Sequence, residues 1–363
     1  MNSEAKYKSA NFFEGLTIIE LASVLAGPAT GMFFSELGAR VIKIENALTG
    51  GDITRQWKLP SESLTSPVSA YYSSVNFNKE IRFIDLNSEP EKMKLYTLIQ
   101  SADIVISNYK AGDAEKLGMD YPSLKKVNSK IIYAHLGGFP KGIKRVAFDV
   151  VLQAETGFMS MNGTPESGPV KMPVALIDIL AAHQLKEVLL LALLNRARTG
   201  SGAYVSTTLY ESAIASLANQ ASNFLMNNVI SKPYGSLHPN IAPYGETFKT
   251  RDNRSIILAI GNNKQFNKLC ETLHLGLHEK FNTNTGRIKN RKELLEILEP
   301  VFREYNAEEL MFNFEKNKIP AGLVKNLEEV FKEPAAQTMI LEENIQGYTT
   351  KRVKSTAFNA TFL

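Results

Sequence analysis

Short apolar runs alternate with amphipathic stretches through the first two hundred residues. The run 16–21 predicts a buried strand, 32–37 a helix that Gly38 ends, and 40–45 a second strand. Two strands joined through a helix form a βαβ unit, which requires a parallel sheet. The alternation continues with strands at 81–86, 102–107 and 130–135 and helices at 91–100 and 121–127. This pattern predicts an α/β fold with a doubly wound, Rossmann-like large domain.

The pattern changes after a long helix. Residues 174–177 form an apolar, strand-like run, Asp178 follows, and helical periodicity then extends from 179 to about 198. A strand at 204–209 and a helix at 211–226 come next, followed by loops, a strand pair at 244–250 and 255–260, and charged helices. We therefore predict a large domain over 1–225, a small inserted α+β domain over 226–320, and a C-terminal segment over 321–363 that returns to the large domain.

Composition restricts the partners of this chain of 363 residues. The 41 basic and 37 acidic residues give a net charge of only +4, which suits an anionic small ligand and argues against nucleic acid. The single cysteine, Cys270, excludes an intrachain disulfide and a cysteine metal cluster. The first residues lack the apolar core of a signal peptide, and the longest apolar run, 188–194, is too short to span a bilayer. We expect no membrane segment and a cytoplasmic location.

Several familiar cofactor and nucleophile motifs are missing from the sequence. Glu45 follows Gly27 at the distance of a ribose-binding acid, but the glycine fingerprint fails and Pro28 removes an N–H that would cradle a pyrophosphate. No Walker A sequence, G-x-S-x-G elbow or H-E-x-x-H motif occurs. We expect no permanently bound cofactor and no metal site.

Two aspartates stand at predicted helix starts. Asp178 lies where the apolar run meets the long helix, and Asp149 opens the helix that carries Gln153. An aspartate in such a place commonly caps the helix, because its carboxylate accepts the free N–H groups of the first turn. The same carboxylate, in a crevice at a strand end, could instead attack a thioester carbonyl and form a mixed anhydride. The spacing alone leaves both interpretations open for Asp178, and favours a structural one for Asp149.

A series of short strings occurs in a recognisable order between about 16 and 330. They are Leu25-Ala26-Gly27-Pro28, 37–45, 102–108 with Leu117-Gly118, Phe148-Asp149 with Gln153-Ala154 and Thr156-Gly157, Ile177-Asp178-Ile179 with 195–202, and Pro243-Tyr244 with Phe248, Thr250 and Asp252. In this order they resemble the family III CoA-transferases, which include formyl-CoA transferase, carnitine CoA-transferase and the related α-methylacyl-CoA racemase. No single string is diagnostic, but their shared order is specific.

The resemblance implies a CoA-transferase that uses an acyl-CoA thioester and a carboxylic acid acceptor as substrates. It implies that Asp178 is the nucleophile that becomes acylated and that Asp149 orients or polarises the reacting carboxyl groups. The positions that resemble CoA-contacting positions of the family are Leu25, Ala26, Asn46, Ile84, Asp85, Asn87, Asn108, Tyr109, Lys110, Lys116, Val146 and Phe148. Three of these depart from the family's basic residues: Asn46 and Asn87 are uncharged, and Lys116 replaces an arginine and lacks its bidentate fork.

The resemblance also implies an interlaced homodimer, in which a Rossmann-like large domain contains both chain termini and the small domain is inserted. Within the family, a racemase is the alternative activity. Racemases that resemble this chain use a histidine just before the acid that matches Asp149, whereas Phe148 stands there and cannot exchange a proton. A catalytically inert acyl-CoA-binding protein is a further alternative, suggested only by the altered phosphate-contact positions.

Overall fold

The computed structural model describes residues 11–110, 112–276 and 278–360 and divides into two compact units. The first unit comprises the chain up to Met161, Pro169–Ser231 and the chain from Thr338 onward. The second unit comprises Asn162–Gly168 and Lys232–Gln337, so it interrupts the first unit twice along the chain. None of the described helices is both long and apolar enough to cross a membrane.

The strands of the described residues are mostly short. They are β1 (Thr17–Leu21), β2 (Arg40–Asn46), β3 (Lys79–Ile84), β4 (Ile104–Ser107), β5 (Ile132–Gly137), β6 (Gly163–Thr164), β7 (Gly168–Pro169), β8 (Ala203–Thr208), β9 (Tyr244–Lys249), β10 (Ser255–Ala259), β11 (Ala321–Leu323), β12 (Ile340–Ile345) and β13 (Tyr348–Val353).

The helices lie between these strands. They are α1 (Ala26–Glu36), α2 (Ala70–Ser73), α3 (Glu89–Gln100), α4 (Asp113–Leu117), α5 (Tyr121–Val127), α6 (Asp149–Glu155), α7 (Phe158–Met161), α8 (Leu176–Thr199), α9 (Leu209–Ala215), α10 (Ala218–Asn227), α11 (Asn263–Thr272), α12 (Asn284–Lys289), α13 (Arg291–Phe302), α14 (Ala307–Lys316), α15 (Leu327–Phe331) and α16 (Pro334–Gln337). Short 3-10 helices cover Ala47–Thr49, Ile53–Gln56 and Glu279–Phe281.

A six-stranded parallel sheet forms the centre of the first unit, in the order β3-β2-β1-β4-β5-β8. This confirms the predicted α/β class with a central parallel sheet. The chain moves outward from β1 to β2 and β3, and then returns to place β4 on the other side of β1. The loops that follow β1 and β4 therefore diverge. The place where the strand order reverses in this way is called the switch point, and open α/β sheets bind their ligands there.

Both faces of this sheet are covered. Ile18 and Ile104 pack into one core with α1, α8 and α9, whereas Ile19 and Val105 pack into another with α3 and α5. Neighbouring residues of a strand point to opposite faces, so a sheet buried on both sides needs continuous apolar runs. This requirement explains why strands β1 and β4 are mainly apolar, and the exception in β1, the buried Glu20, has lysine partners.

Helix α1 begins six residues earlier than the pattern predicts. The segment Ala26-Gly27-Pro28, whose glycine and proline favour a turn, forms the first turn of the helix. Proline is tolerated there because its missing N–H has no partner inside the helix anyway. A Cβ on Gly27 would lie 2.4 Å from Ala22 Cβ, so the glycine allows α1 to pack directly against the end of β1.

The predicted helix at 211–226 is two helices in the structure. Helix α9 ends at Ala215, and α10 starts at Ala218, whose φ of 47° is left-handed. Such a backbone conformation interrupts a right-handed helix. The long helix α8 begins at Leu176, so the strand-like run 174–177 is not a strand.

The second unit has its own three-stranded antiparallel sheet, in the order β11-β10-β9. Its core contains Phe248, Phe302 and Phe314, and the first two rings stack 4.3 Å apart. The predicted strand pair is present as β9 and β10. In the first unit, the chain that follows hairpin β12–β13 reaches α1, where the Glu36 carboxylate accepts the N–H groups of Ser355 and Thr356 at 2.7 and 3.0 Å.

Candidate active site

Asp178 is a buried carboxylate in the first turn of α8. It is the third residue of the helix, and only 8% of its surface is exposed. Of the two interpretations left open for Asp178, the helix cap does not apply, because α8 begins two residues earlier and its cap position is Ala175, which has no side-chain acceptor. Among the described residues, no donor hydrogen-bonds the Asp178 carboxyl. The side chain is therefore buried near a helix N-terminus without a partner.

Asp149 supplies the cap that α8 lacks. Its Oδ1 atom accepts the N–H of Ile177 at 2.7 Å and that of Asp178 at 3.4 Å. Gln153, one turn further along α6, donates from Nε2 to Asp149 Oδ2 at 2.6 Å. The Gln153 Oε1 atom in turn accepts the N–H of Met172 at 2.8 Å, which fixes the orientation of the amide. Asp149 is thus held rigidly, with its carboxylate beside the start of α8.

The charge of Asp149 acts on the ionisation of Asp178. Burial raises the pKa of Asp178 from 3.8 to about 7, and the negative charge of Asp149 adds to this effect. A carboxylate in the first turn of a helix is stabilised by the helix dipole, which assists ionisation near neutral pH. Asp178 therefore exchanges between its acid and carboxylate forms in the range where a nucleophile or proton acceptor operates.

Tyr71 lies within electrostatic range of these two carboxylates, and the sequence analysis missed it. Burial raises the pKa of Tyr71 to about 12, and the charges of Asp178, Asp149 and Asp52 contribute in that order. The Trp57 ring packs edge-on against the Tyr71 ring at 5.0 Å. No motif or spacing in the segment 57–73 marks this tyrosine, whereas Gln153 could have been found from its i,i+4 spacing to Asp149.

The turn between β1 and α1 lies at the switch point of the sheet. Leu25 is the cap residue of α1, and Ala26, which is buried, is its first residue. Asn108, directly after β4, binds this turn through both ends of its amide. Its Oδ1 atom accepts the Ser23 N–H at 3.1 Å, and its Nδ2 atom donates to the Ser23 carbonyl at 2.9 Å. The structure therefore brings together three of the residues that the resemblance assigns to CoA.

A network of buried ion pairs lies next to the same turn. Lys43 donates to Glu20 at 3.0 Å and pairs with Asp52 at 3.1 Å, and Lys79 donates to Glu20 at 2.8 Å. Burial lowers the pKa of Lys43, but the charges of Glu20 and Asp52 outweigh it and the pKa is raised. Since each lysine has a carboxylate partner, the network avoids the large cost of an unpaired buried charge.

The other predicted CoA residues follow the carboxyl ends of neighbouring strands. Asn46 and Ile84 end β2 and β3 and are paired in the register of the sheet. Asp85 and Asn87 form a local turn, in which Asp85 Oδ1 accepts the Asn87 N–H at 2.9 Å. Asn46 is exposed, and its side chain accepts the N–H of Leu48.

Further residues of the predicted set lie on the loops after β4 and β5. Tyr109 and the exposed Lys110 follow β4, and Lys116 lies in α4 with 80% of its side chain exposed and an ion pair to Asp113 at 3.7 Å. Val146 and Phe148 are about half exposed and lead into α6. In the described part of the chain, no group of three histidine, cysteine, aspartate or glutamate residues could hold a metal ion.

Comparison with known proteins gives a consistent result. The model of CoA-transferase family III matches residues 13–362. The chain is 35% identical to a succinate–glutarate CoA-transferase of Agrobacterium fabrum, over 92% of this chain and 85% of that protein. It is 33% identical to the human succinyl-CoA:glutarate CoA-transferase, over 88% of this chain and 73% of that protein. The crystal structure of a CaiB/BaiF family protein from Brucella suis superposes with a TM-score of 0.84 at 34% identity, covering 97% of this chain and 93% of that one.

The burial of Asp178 predicts a pH-dependent cost in stability. Between pH values of about 4 and 7 the folded protein retains a proton that the unfolded chain has released, so stability falls as the pH rises through this range. Asp178→Asn removes this cost, which amounts to at most about 4 kcal/mol for three pKa units. We expect the variant to melt at a higher temperature than the parent at about pH 8, with a smaller difference at about pH 5.

Thermal unfolding followed by circular dichroism at both pH values measures the effect. Glu308→Gln is the matched control, because Glu308 is an exposed carboxylate in the first turn of α14. A difference between Asp178→Asn and the parent that is the same at both pH values would contradict the prediction.

Proposed function

The chain belongs to CoA-transferase family III, and from this we propose that it moves CoA from an acyl-CoA donor to a carboxylic acid through acylation of Asp178. The observation that carries the mechanism is the state of the Asp178 carboxyl, which is buried, has no partner among the described residues, and has a pKa of about 7. A structural aspartate at a helix start normally accepts backbone N–H groups, but here Asp149 performs that function.

The proposed reaction begins with attack of an Asp178 carboxylate oxygen on the thioester carbonyl carbon of the donor. The carbon–sulfur bond breaks, CoA leaves as its thiolate, and a mixed anhydride remains on Asp178. The thiolate then attacks the aspartyl carbonyl carbon of this anhydride, which releases the first acid as a carboxylate and leaves an aspartyl-CoA thioester.

The second half of the reaction reverses these steps with the acceptor acid. The acceptor carboxylate attacks the aspartyl thioester, displaces the thiolate and forms a new anhydride. The thiolate attacks the acceptor's carbonyl carbon, so the new acyl-CoA leaves and the Asp178 carboxylate is regenerated. Charge and atoms balance at each step, and no metal or redox cofactor takes part.

The surroundings of Asp178 support this chemistry. A carboxylate that is removed from water and lacks hydrogen-bond donors is less stabilised than a solvated one, which favours its attack on a carbonyl carbon. We assign to Asp149 the orientation of the reacting carboxyl groups, and its fixed position, held by Gln153 and by the start of α8, supports this role. The racemase alternative is not favoured, since the named relatives are CoA-transferases and Phe148 offers no group that exchanges a proton.

For CoA itself we keep the assignment that the resemblance gives. The turn with Leu25 and Ala26, held by Asn108, lies at the switch point, which supports a role in binding. The exposed Lys110 and Lys116 are available to the phosphate groups of CoA. The strand order supports the description of the first unit as a Rossmann-like domain. The relatives make succinyl-CoA and glutarate the first pair of substrates to assay.

We predict that Asp178→Ala and Asp178→Asn abolish CoA transfer, because both oxygens of the neighbouring carboxylate, Asp149, are already engaged in hydrogen bonds. The assay follows formation of glutaryl-CoA from succinyl-CoA and glutarate by liquid chromatography. Hydroxylamine added during turnover should convert the acylated aspartate of the parent to a hydroxamate, and peptide mass spectrometry should locate it at Asp178. Glu308→Gln serves as the control and should transfer at the parental rate. Full transfer by Asp178→Ala would overturn the mechanism.

We further predict that Asp149→Asn shifts the acidic limb of the kcat/KM profile to lower pH. The negative charge of Asp149 raises the pKa of Asp178, so its removal lowers that pKa and leaves the nucleophile ionised in more acidic solution. Gln153→Leu is the matched control, because it removes a hydrogen bond to Asp149 but keeps the charge. An acidic limb that moves equally in both variants would show that geometry, and not charge, sets the pKa.

We propose that the enzyme is a homodimer. Helix α10 has no buried residue, and Leu225 and Met226 are 78% and 79% exposed. Apolar side chains exposed to this extent on one helix are typical of a protein interface.

Size-exclusion chromatography with light scattering should give twice the mass of one chain for the parent. Leu225→Lys together with Met226→Lys should destabilise the dimer and lower its melting temperature, because two charges would be buried in the contact. Leu64→Lys, at an apolar loop residue that is 89% exposed, should leave the dimer intact. A monomeric parent would refute the proposal.

A further inference from the structure

Val24 adopts a backbone conformation that its side chain disfavours. Its φ is 71°, in the left-handed region, where a β-branched residue is a genuine outlier. Val24 lies between the end of β1 and the cap residue of α1. Strained residues of this kind persist only where surrounding contacts enforce them, and they concentrate at functional sites.

Asp52 makes the contact that enforces this conformation. Its carboxylate accepts the Val24 N–H at 3.1 Å through Oδ2 and at 3.4 Å through Oδ1. Oδ1 also accepts the N–H and the hydroxyl of Thr54 at 3.0 and 2.8 Å, and Lys43 pairs with Oδ2 at 3.1 Å. Both oxygens are therefore occupied by donors, and Asp52 is only 5% exposed. The carboxylate cannot move without breaking several of these contacts.

The strained turn is close to the proposed nucleophile. Helix α1, which starts directly after Val24 and Leu25, packs on α8, and the Thr30 hydroxyl donates to the Ala182 carbonyl at 3.5 Å. Asp178 lies one turn before Ala182 on α8. The Lys186 ammonium lies 5.3 Å from the Phe33 ring, so α1 and α8 run in the same direction, and Ala26 and Asp178 each lie one turn before the contact between Thr30 and Ala182.

We propose that Asp52 is a positioning residue for CoA transfer, acting by holding Val24 left-handed so that the first turn of α1 keeps its place beside Asp178. This inference rests on the proposed function, because it assumes that Asp178 is the nucleophile beside which α1 is positioned. Without the carboxylate, Val24 relaxes to negative φ, and the chain that enters α1 changes direction at the edge of the site. Displacements of about 1 Å at a reacting centre cost on the order of 100-fold in rate.

Glu20 provides a matched comparison within the same network. It pairs with Lys43 as Asp52 does, at 3.0 Å, and is completely buried, but its side chain does not hydrogen-bond Val24. Glu20→Gln therefore weakens the charge network, including the lysines that donate to the Ala22 and Pro28 carbonyls, but leaves both oxygens of Asp52 for the Val24 N–H. Asp52→Asn weakens both the network and the turn. In the parent, the donors of Val24, Thr54 and Lys43 share two acceptor oxygens, whereas an amide offers only one.

The experiment measures kcat, KM and melting temperature for Asp52→Asn and Glu20→Gln, at a temperature where both are folded. We expect both variants to melt earlier than the parent. Only Asp52→Asn should lose kcat, by about 10- to 100-fold, with a smaller change in KM for the acyl-CoA. An equal loss of kcat in the two variants would show that weakening the charge network is enough to lower kcat, and it would overturn the inference.

Rescue by a second substitution makes the test independent of folding. Glycine adopts positive φ without steric cost, whereas alanine retains the Cβ that opposes it. Val24→Gly should restore most of the kcat lost in Asp52→Asn, and Val24→Ala should not. Absence of rescue by glycine, or equal rescue by alanine, would overturn the role of Val24. Transfer that survives Asp178→Ala would instead overturn the proposed function, so the two failures are distinguishable.

Discussion

Strand β1 hydrogen-bonds β2 on one side and β4 on the other, and the arrangement of the first unit depends on this double pairing. Because the chain departs from β1 in both directions, the loops after β1 and β4 separate at the carboxyl edge of the sheet. Asn108 spans the gap by binding both backbone groups of Ser23. The direction of α1, and with it the surface that α8 packs against, follows from this local geometry.

Two carboxylates, Asp149 and Asp178, lie at the start of α8, and they differ in whether they bind the backbone there. Asp149 satisfies the backbone N–H groups at the start of α8, which leaves the carboxylate of Asp178, a residue of that helix, without a structural task. Had α8 been capped by its own side chain, the buried acid would have remained an ordinary hydrogen-bonded cap. The cap of α8 and the proposed nucleophile are therefore separate residues because α6 and α8 meet at this point.

The sequence predicted the parallel sheet and most of its strands, because strands buried on both faces must be continuously apolar. It failed at 26–31, where glycine and proline suggest a turn but occupy the first turn of α1, and at 174–177, where an apolar run enters a helix. Both failures occur at helix starts, where propensity is weak and packing decides. Asp178 and Asp149 are proposed as site residues from ordered motifs, whereas Tyr71 carries no local signal, because the charges that act on it belong to other elements.

The first unit is discontinuous along the chain, and this affects how it is made. Glu36 at the end of α1 binds the backbone of Ser355, and 319 positions separate the two residues. After α1 has emerged from the ribosome, the whole second unit must still be synthesised before hairpin β12–β13 and residue 355 emerge. Domains generally fold as units during synthesis, beginning from the N-terminal end. In this chain, synthesis of the second unit is complete before the last segment of the first unit has been made.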